Sequence, residues 1–281
     1  MELYYCKYSN GIKNFGDDLN PWIWKRLIPD FESIISKFVL IGIGTILNSN
    51  INIRYKNKEK IIFSSGYGYG DLPTIDNTWK FLCVRGPLTA KKLGLSRDSA
   101  ITDGAILLNK LYHGKSNKTH KYSYMPHVSM SIESGDIIKK LTAEIGVNYI
   151  NPSDDIENVM SEICSTQILI TEAMHGAIVA EAFRIPWVAV KTSEFINDFK
   201  WHDWCLSVGR TYDPAKMVSI WQRSNVYSTI KLYIKKKVFS SQLSKILNKS
   251  HPTLCDDAIF NEKLELLEEK IHELKTLLTM C

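Results

Sequence analysis

The six cysteines of this 281-residue chain (Cys6, Cys83, Cys164, Cys205, Cys255 and Cys281) are scattered, and no two stand in a CxxC spacing. That excludes a cysteine zinc cage and a disulfide framework, and it fits a reducing compartment. Nor is there an apolar run of the ~18–20 residues that a membrane span needs. The longest candidate, Phe38 to Leu47, is interrupted by Gly42 and Gly44 and followed by Asn48, Asn50 and Asn52. The opening Met-Glu-Leu-Tyr-Tyr lacks the basic-then-apolar layout of a signal peptide, so a cytoplasmic location is expected. There is no HExxH, no clustered carboxylate set, no Walker-type Lys-Ser/Thr after a glycine loop and no complete GxGxxG. Neither a metal nor a cofactor is expected.

Acids are missing from one stretch. Between Pro214 and Cys255 stand eight basic residues and no Asp or Glu, whereas Asp256 to Cys281 holds seven acids against three lysines. The net charge of +5 therefore leaves only +1 for residues 1–213. A nearly neutral body excludes a general nucleic-acid-binding surface, and the local basic excess points to a local anionic partner.

What is present is material for a core: 44% hydrophobic residues, with Trp 7, Tyr 13 and Phe 10. Residues 1–213 alternate short apolar runs with helical stretches, the pattern of an α/β protein with parallel strands covered on both faces. Strands are expected at Phe38–Ile41, Ile61–Ser64, Phe81–Val84, Tyr122–Met125, Gln167–Thr171 and Trp187–Val190. Helices are expected at Leu19–Leu27, Leu88–Lys92, Asp136–Ile145, Asp154–Cys164 and His175–Phe183, with Asp18, Ser134 and Ser153 as starts and Pro87 in a first turn. The polar run His113 to Thr119 divides an N-terminal Rossmann-like domain (1–118) from a second one (119–226). A cleft would then lie between the carboxyl ends of the two sheets. In the remainder (227–281), Ile230 to Lys249 reads as a basic amphipathic helix. Phe260, Leu264, Leu267, Ile271, Leu274 and Leu278 form a heptad seam.

Several turns at strand ends carry chemistry. Gly42 and Gly44 close one strand, and Gly66 and Gly68 close the next; glycine lets an anion approach backbone N–H groups, with tight turns as the alternative. Asn14, Asp17 and Asp18 open the first helix as substrate contacts; for Asp17 and Asp18 the alternatives are capping of that helix and, ranked below it, a Mg²⁺ site. Arg85, before the helix that Pro87 pre-shapes, offers a fork of donors to a carboxylate or phosphate, or else a salt bridge between domains. The strongest constellation is Thr171-Glu172-Ala173-Met174-His175-Gly176-Ala177, a buried strand turning into a small-residue helix. His175 falls in that helix's first turn, where the amides favour anions and a neutral imidazole. A general-acid role then needs a nearby anion such as Glu172 or a bound phosphate to restore the proton. Met174 adjoins it. His127, after another strand, offers a second proton carrier, and Lys191 a phosphate cation. Trp201-His202-Asp203-Trp204 reads as core aromatics rather than a sugar platform.

In their order these segments resemble the polysaccharide pyruvyl transferase family. The residues are Asn14-Phe15-Gly16-Asp17-Asp18, Gly42-Ile43-Gly44-Thr45, Val84-Arg85-Gly86-Pro87-Leu88-Thr89-Ala90, Thr102-Asp103, Pro126-His127, and Thr171 to Ala177 leading into Ala182-Phe183-Arg184-Ile185-Pro186. The resemblance implies a GT-B-like pair of Rossmann domains. It also implies transfer of pyruvyl from phosphoenolpyruvate, as donor substrate, to two hydroxyls of a sugar or lipid-linked oligosaccharide acceptor, with His175 as acid. Many relatives carry an arginine two residues before that histidine; here the position is Ala173, and Arg85, Lys191 or glycine-loop amides would have to hold the phosphate instead. The competing readings are a glycosyltransferase using a nucleotide-activated sugar on the same architecture, and a non-catalytic glycan-binding scaffold. For the tail, the expectations are a homo-oligomer through a coiled coil of the heptads and peripheral contact of the lysine-rich helix with an anionic membrane's inner face.

Overall fold

The computed structural model describes residues 1–7, 11–34, 37–114, 117–220 and 229–279. Two parallel sheets organise the chain. The first joins β1 (Glu2–Tyr4), β2 (Phe38–Ile41), β3 (Gly44–Thr45), β4 (Glu59–Gly66) and β5 (Trp79–Val84). Its order is β1-β2-β4-β3, with β5 also on β4. The second joins β6 (His120–Met125), β7 (Asn148–Tyr149), β8 (Thr166–Thr171), β9 (Trp187–Lys191) and β10 (Ala215–Lys216), in the order β10-β9-β8-β6-β7. All six expected strands are found. The strands missed (β1, β3, β7 and β10) are two or three residues long, too short for an apolar run to announce them.

The helices are α1 (Phe15–Leu27), α2 (Asn50–Arg54), α3 (Pro87–Lys92), α4 (Leu108–Leu111), α5 (Val128–Glu144), α6 (Ile156–Cys164), α7 (Met174–Ala182), α8 (Asp198–Ser207), α9 (Thr229–Lys249) and α10 (Asp257–Thr279). A correction concerns α5. It begins at Val128, capped by the His127 ring accepting from Ser129 N–H, and Ser134 is an interior buried residue rather than its start. Ser129, Ser131, Ser134 and Gly135 are poor helix formers that hide this first half from a propensity reading. Burial of Val128, Met130 and Ser134 overrides them.

The helices weld the sheets together. One apolar core runs from Leu19, Ile23 and Trp24 of α1, through Phe63 and Leu82 of the first sheet, to Ile178 of α7 and Trp187 of β9. Trp187, Trp201, Trp204 and Tyr212 pack ring on ring in the same core, as core packing of Trp201 and Trp204 requires. The division expected in 113–119 falls between the sheets, though residues 115 and 116 lie outside the described residues, as does the boundary expected at 226.

α10 is where the heptads predict a helix, but its seam is not a coiled coil in this chain. Phe260, Leu264, Leu267, Ile271 and Leu274 are buried in the chain's own core, where α10 packs on β5 and on the 3-10 helix Gly104–Leu107. Each such side chain stabilises by about 1.5–3 kcal/mol when buried. The seam expected to drive oligomerisation is thus occupied by the body. A heptad pattern states only that one helical face is apolar, not what covers it.

Candidate active site

β8 ends at Thr171, in register with Met125 of β6 and Ala189 of β9. The Thr171 hydroxyl accepts from Ala173 N–H at 2.9 Å and reaches the Met125 carbonyl at 3.0 Å, which fixes the turn into α7. No side chain caps α7. Its buried Ala177, Ala180 and Ala182 let it lie close to the sheet, and at Gly176 a Cβ would press on Met125 and Thr171. His175 is thereby delivered to the carboxyl edge of the second sheet.

Opposite it stands Asp103, at the head of the 104–107 turn. Asp103 Oδ1 caps that turn by accepting from Ala105 N–H at 3.0 Å. Its Oδ2 has no hydrogen bond and lies 3.7 Å from His175 Nε2, itself unsatisfied. The Nδ1 edge of the ring lies against Gly16, where a Cβ would collide with it. Glycine at 16 is therefore a steric requirement of the histidine's position. The His175 side chain keeps 14% of its surface exposed. It lines a narrow crevice of about 50 Å³ with Asn14, Phe15, Gly16, Met125, His127, Met174 and Lys200. Burial lowers the His175 pKa, Asp103 opposes this, and the nearby cations Lys200 and Arg85 add to the lowering. These influences together favour the neutral imidazole.

Lys200, in the first turn of α8, is the residue that the sequence did not disclose. It is half-buried, makes no hydrogen bond, and has no carboxylate within ion-pair distance among the described residues; the Tyr69 ring is 6.0 Å from Nζ. Burial, then repulsion from Arg85, depresses its pKa to about 8 against the pull of Asp17. In the sequence it stands between Phe199 and Trp201, inside a helix that reads as aromatic core, and nothing local marks it.

The other expected site residues divide. Asn14 and Met174 line the crevice, and Asn14 Nδ2 donates to Asp17. Burial pushes the Asp17 carboxyl up to about 6. Asp18 accepts from Asn14 N–H at 2.9 Å, a capping contact. His127 has burial, then Lys200, holding its pKa down to about 4. Its Nδ1 accepts from Ser129 N–H, which leaves Nε2 to carry the proton of a neutral ring. Glu172 requires a correction: it is buried away from His175, accepting from Thr192 N–H at 2.8 Å and His127 N–H at 3.3 Å. It ties the β6, β8 and β9 loops together, and the carboxylate facing His175 is Asp103.

Of its two readings, Arg85 takes the salt bridge and not the free anion fork. Fully buried, it donates from Nε to Asp203 at 3.0 Å, from one Nη to Thr45 Oγ1 at 2.8 Å and from the other to the Tyr67 carbonyl at 3.0 Å. It is an internal clamp. Lys191 is held by Asp198 at 2.8 Å and Glu194 at 3.1 Å, so it too is not a waiting cation. The glycine loops are filled by the protein itself: the space beside Gly66 by the Arg85 guanidinium, beside Gly42 by Asn20 Oδ1, and beside Gly68 by the Thr45 methyl. Gly44, at φ +123°, makes a turn that other residues rarely adopt. Among the described residues no group of three or more His, Cys, Asp or Glu is arranged to hold a metal ion.

A histidine facing a carboxylate, beside a lysine with no ion-pair partner among the described residues, is an arrangement able to move a proton near a bound anion. The sequence pattern of the polysaccharide pyruvyl transferase family matches residues 2–194, and the chain belongs to that family. It is a pyruvyltransferase acting in polysaccharide modification, which displaces both the glycosyltransferase and the scaffold readings. Among particular proteins, it is 39% identical over 221 residues to the succinoglycan biosynthesis protein ExoV of Rhizobium meliloti (strain 1021), covering 77% of this chain and 68% of that protein.

Proposed function

We propose that the chain moves the pyruvyl group of phosphoenolpyruvate onto two hydroxyls of one sugar in an exopolysaccharide or its lipid-linked precursor, closing a cyclic ketal. Two Rossmann-like halves in a GT-B-like arrangement, meeting near residue 118, would form the crevice. The observation that carries this reading is the unpartnered Lys200 ammonium beside His175. A half-buried ammonium with no carboxylate at ion-pair distance among the described residues is open to a ligand phosphate or carboxylate, which it can hold by a charge-assisted hydrogen bond. Lys200 thus takes the part of the arginine that Ala173 replaces.

The chemistry follows from the charges. Burial lowers the His175 pKa most and Lys200 and Arg85 lower it further; the negative charge of a seated donor acts against all three, so that the ring takes up a proton when the substrate is present. Asp103 faces the resulting imidazolium. His175 gives its proton to the methylene carbon. The adjacent carbon, now oxocarbenium-like, is attacked by a sugar hydroxyl, whose proton returns to His175. Phosphate departs from that carbon, and the second hydroxyl closes the ring as its own proton leaves with phosphate. One donor and one diol give one ketal and one inorganic phosphate. The walls of the narrow crevice must part to admit a ligand of this size.

The test is incubation of the purified protein with phosphoenolpyruvate and candidate glycans. Equal amounts of released phosphate and ketal-bearing glycan by mass spectrometry are expected. Turnover of a nucleotide sugar, with phosphoenolpyruvate left intact, would overturn the proposal.

A further inference from the structure

The two halves of α9 meet different surroundings. Phe239, Leu243 and Ile246 are buried against Tyr124, Ile138, Ile170 and Val190 of the second sheet and its helices. Phe239 meets the Tyr124 ring edge-on at 5.8 Å, and Gln242 accepts from Val218 N–H at 2.7 Å. One turn earlier the opposite face is apolar and open: Ile230 is 71% exposed, Tyr233 61%, Ile234 54% and Val238 38%. Their spacing of three, one and four residues aligns them in one stripe about 12 Å long. Isolated exposed apolar residues need no explanation, but four in a row on a helix already anchored by its other face do.

Charge selects the occupant. α9 carries Lys231, Lys235, Lys236, Lys237, Lys245 and Lys249 and no acid. A protein partner with a matching groove would satisfy the apolar stripe alone. An anionic bilayer surface satisfies both features, with the isoleucines and valine at the acyl boundary, Tyr233 at headgroup level and the lysines on lipid phosphates. No described helix is long and apolar enough to cross a membrane, so the contact would lie in the surface plane. We propose that the Ile230–Val238 face of α9 docks the enzyme on an anionic lipid surface. This rests on the exposed stripe and the lysines, not on the identity of the donor.

The experiment is cosedimentation of the full chain with phosphatidylcholine vesicles, with and without phosphatidylglycerol, at low and high salt. Binding to the anionic vesicles that falls with salt is expected. The double variant Ile230→Asp/Ile234→Asp should lose it, and Lys236→Ala and Lys237→Ala should each weaken it about fivefold, the equivalent of 1 kcal/mol per lysine. All four substitutions are at the surface, so an unchanged melting temperature and unchanged turnover of a soluble acceptor are expected. Equal, weak binding to both vesicle types overturns the proposal. So does a wild-type dimer that the aspartate variant converts to monomer, since the stripe would then be covered by a second copy.

Discussion

Arg85 is a fully buried cation and Lys200 a half-buried one, and they are near enough for the charge of Arg85 to act on Lys200. Arg85 has its guanidinium engaged by Asp203, Thr45 and the Tyr67 carbonyl, while Thr89 N–H and hydroxyl also bind Asp203 at 2.8 Å and 2.6 Å. Lys200 has no such partner. The first arrangement joins α3 to α8 and holds the two halves of the chain in register. The second leaves a charge with only the more distant Asp17 to attract it among the described residues. The tally of partners thus marks Arg85 as a structural cation and leaves Lys200 as the one proposed to meet the donor.

That contrast is open to attack in order of effect. His175, whose pKa both cations lower, should on replacement by Gln lose about 10²–10⁴-fold in kcat with the melting temperature preserved, if it is the acid. Full turnover in that variant would remove the chemistry assigned to the crevice. Asp203→Ala should leave the fully buried Arg85 without its carboxylate, at about 3–5 kcal/mol in urea unfolding. A loss below about 1 kcal/mol would mean that the clamp is not structural. Lys200→Met should behave in the opposite way: donor affinity by calorimetry falling about 10- to 150-fold, the range of a hydrogen bond to a charged group, with stability unchanged or raised.

The smallest effect is in pH. The folded Lys200 value of about 8 lies below the unfolded ~10.4, so between these the folded chain holds fewer protons and stability rises with pH. Buried thiols oppose this, since Cys83 is pushed up to about 11 and Cys205 and Cys255 to about 12. The readout is therefore the stability difference between Lys200→Met and wild type, which should narrow from pH 8 to 10. Donor affinity of the wild type should fall above pH 8, by up to about tenfold per unit, as the ammonium is lost.

Much of the site was legible because its signals are local. His175 announces itself by following a β-rich run and opening an alanine-lined helix, and Gly16 belongs to the segment that meets it. Arg85 was legible as a cation at a strand end, but its occupation was not. Asp203 is 118 residues away, within an aromatic helix. Glu172 adjoins the histidine's turn in sequence and faces away from it in space, whereas Asp103, 72 positions before His175, faces it.

The order of strands and helices, the apolar seam of α10 and the chemical character of α7 follow from short-range pattern, because burial has a period of two or about 3.6 residues that composition alone can express. Which carboxylate faces the histidine, which cation is spent and which is left over, and whether the heptads cover a sibling or their own body were decided by folding. Each depends on pairing groups far apart along the chain, and electrostatic complementarity acts through distance in space, which a linear order does not contain.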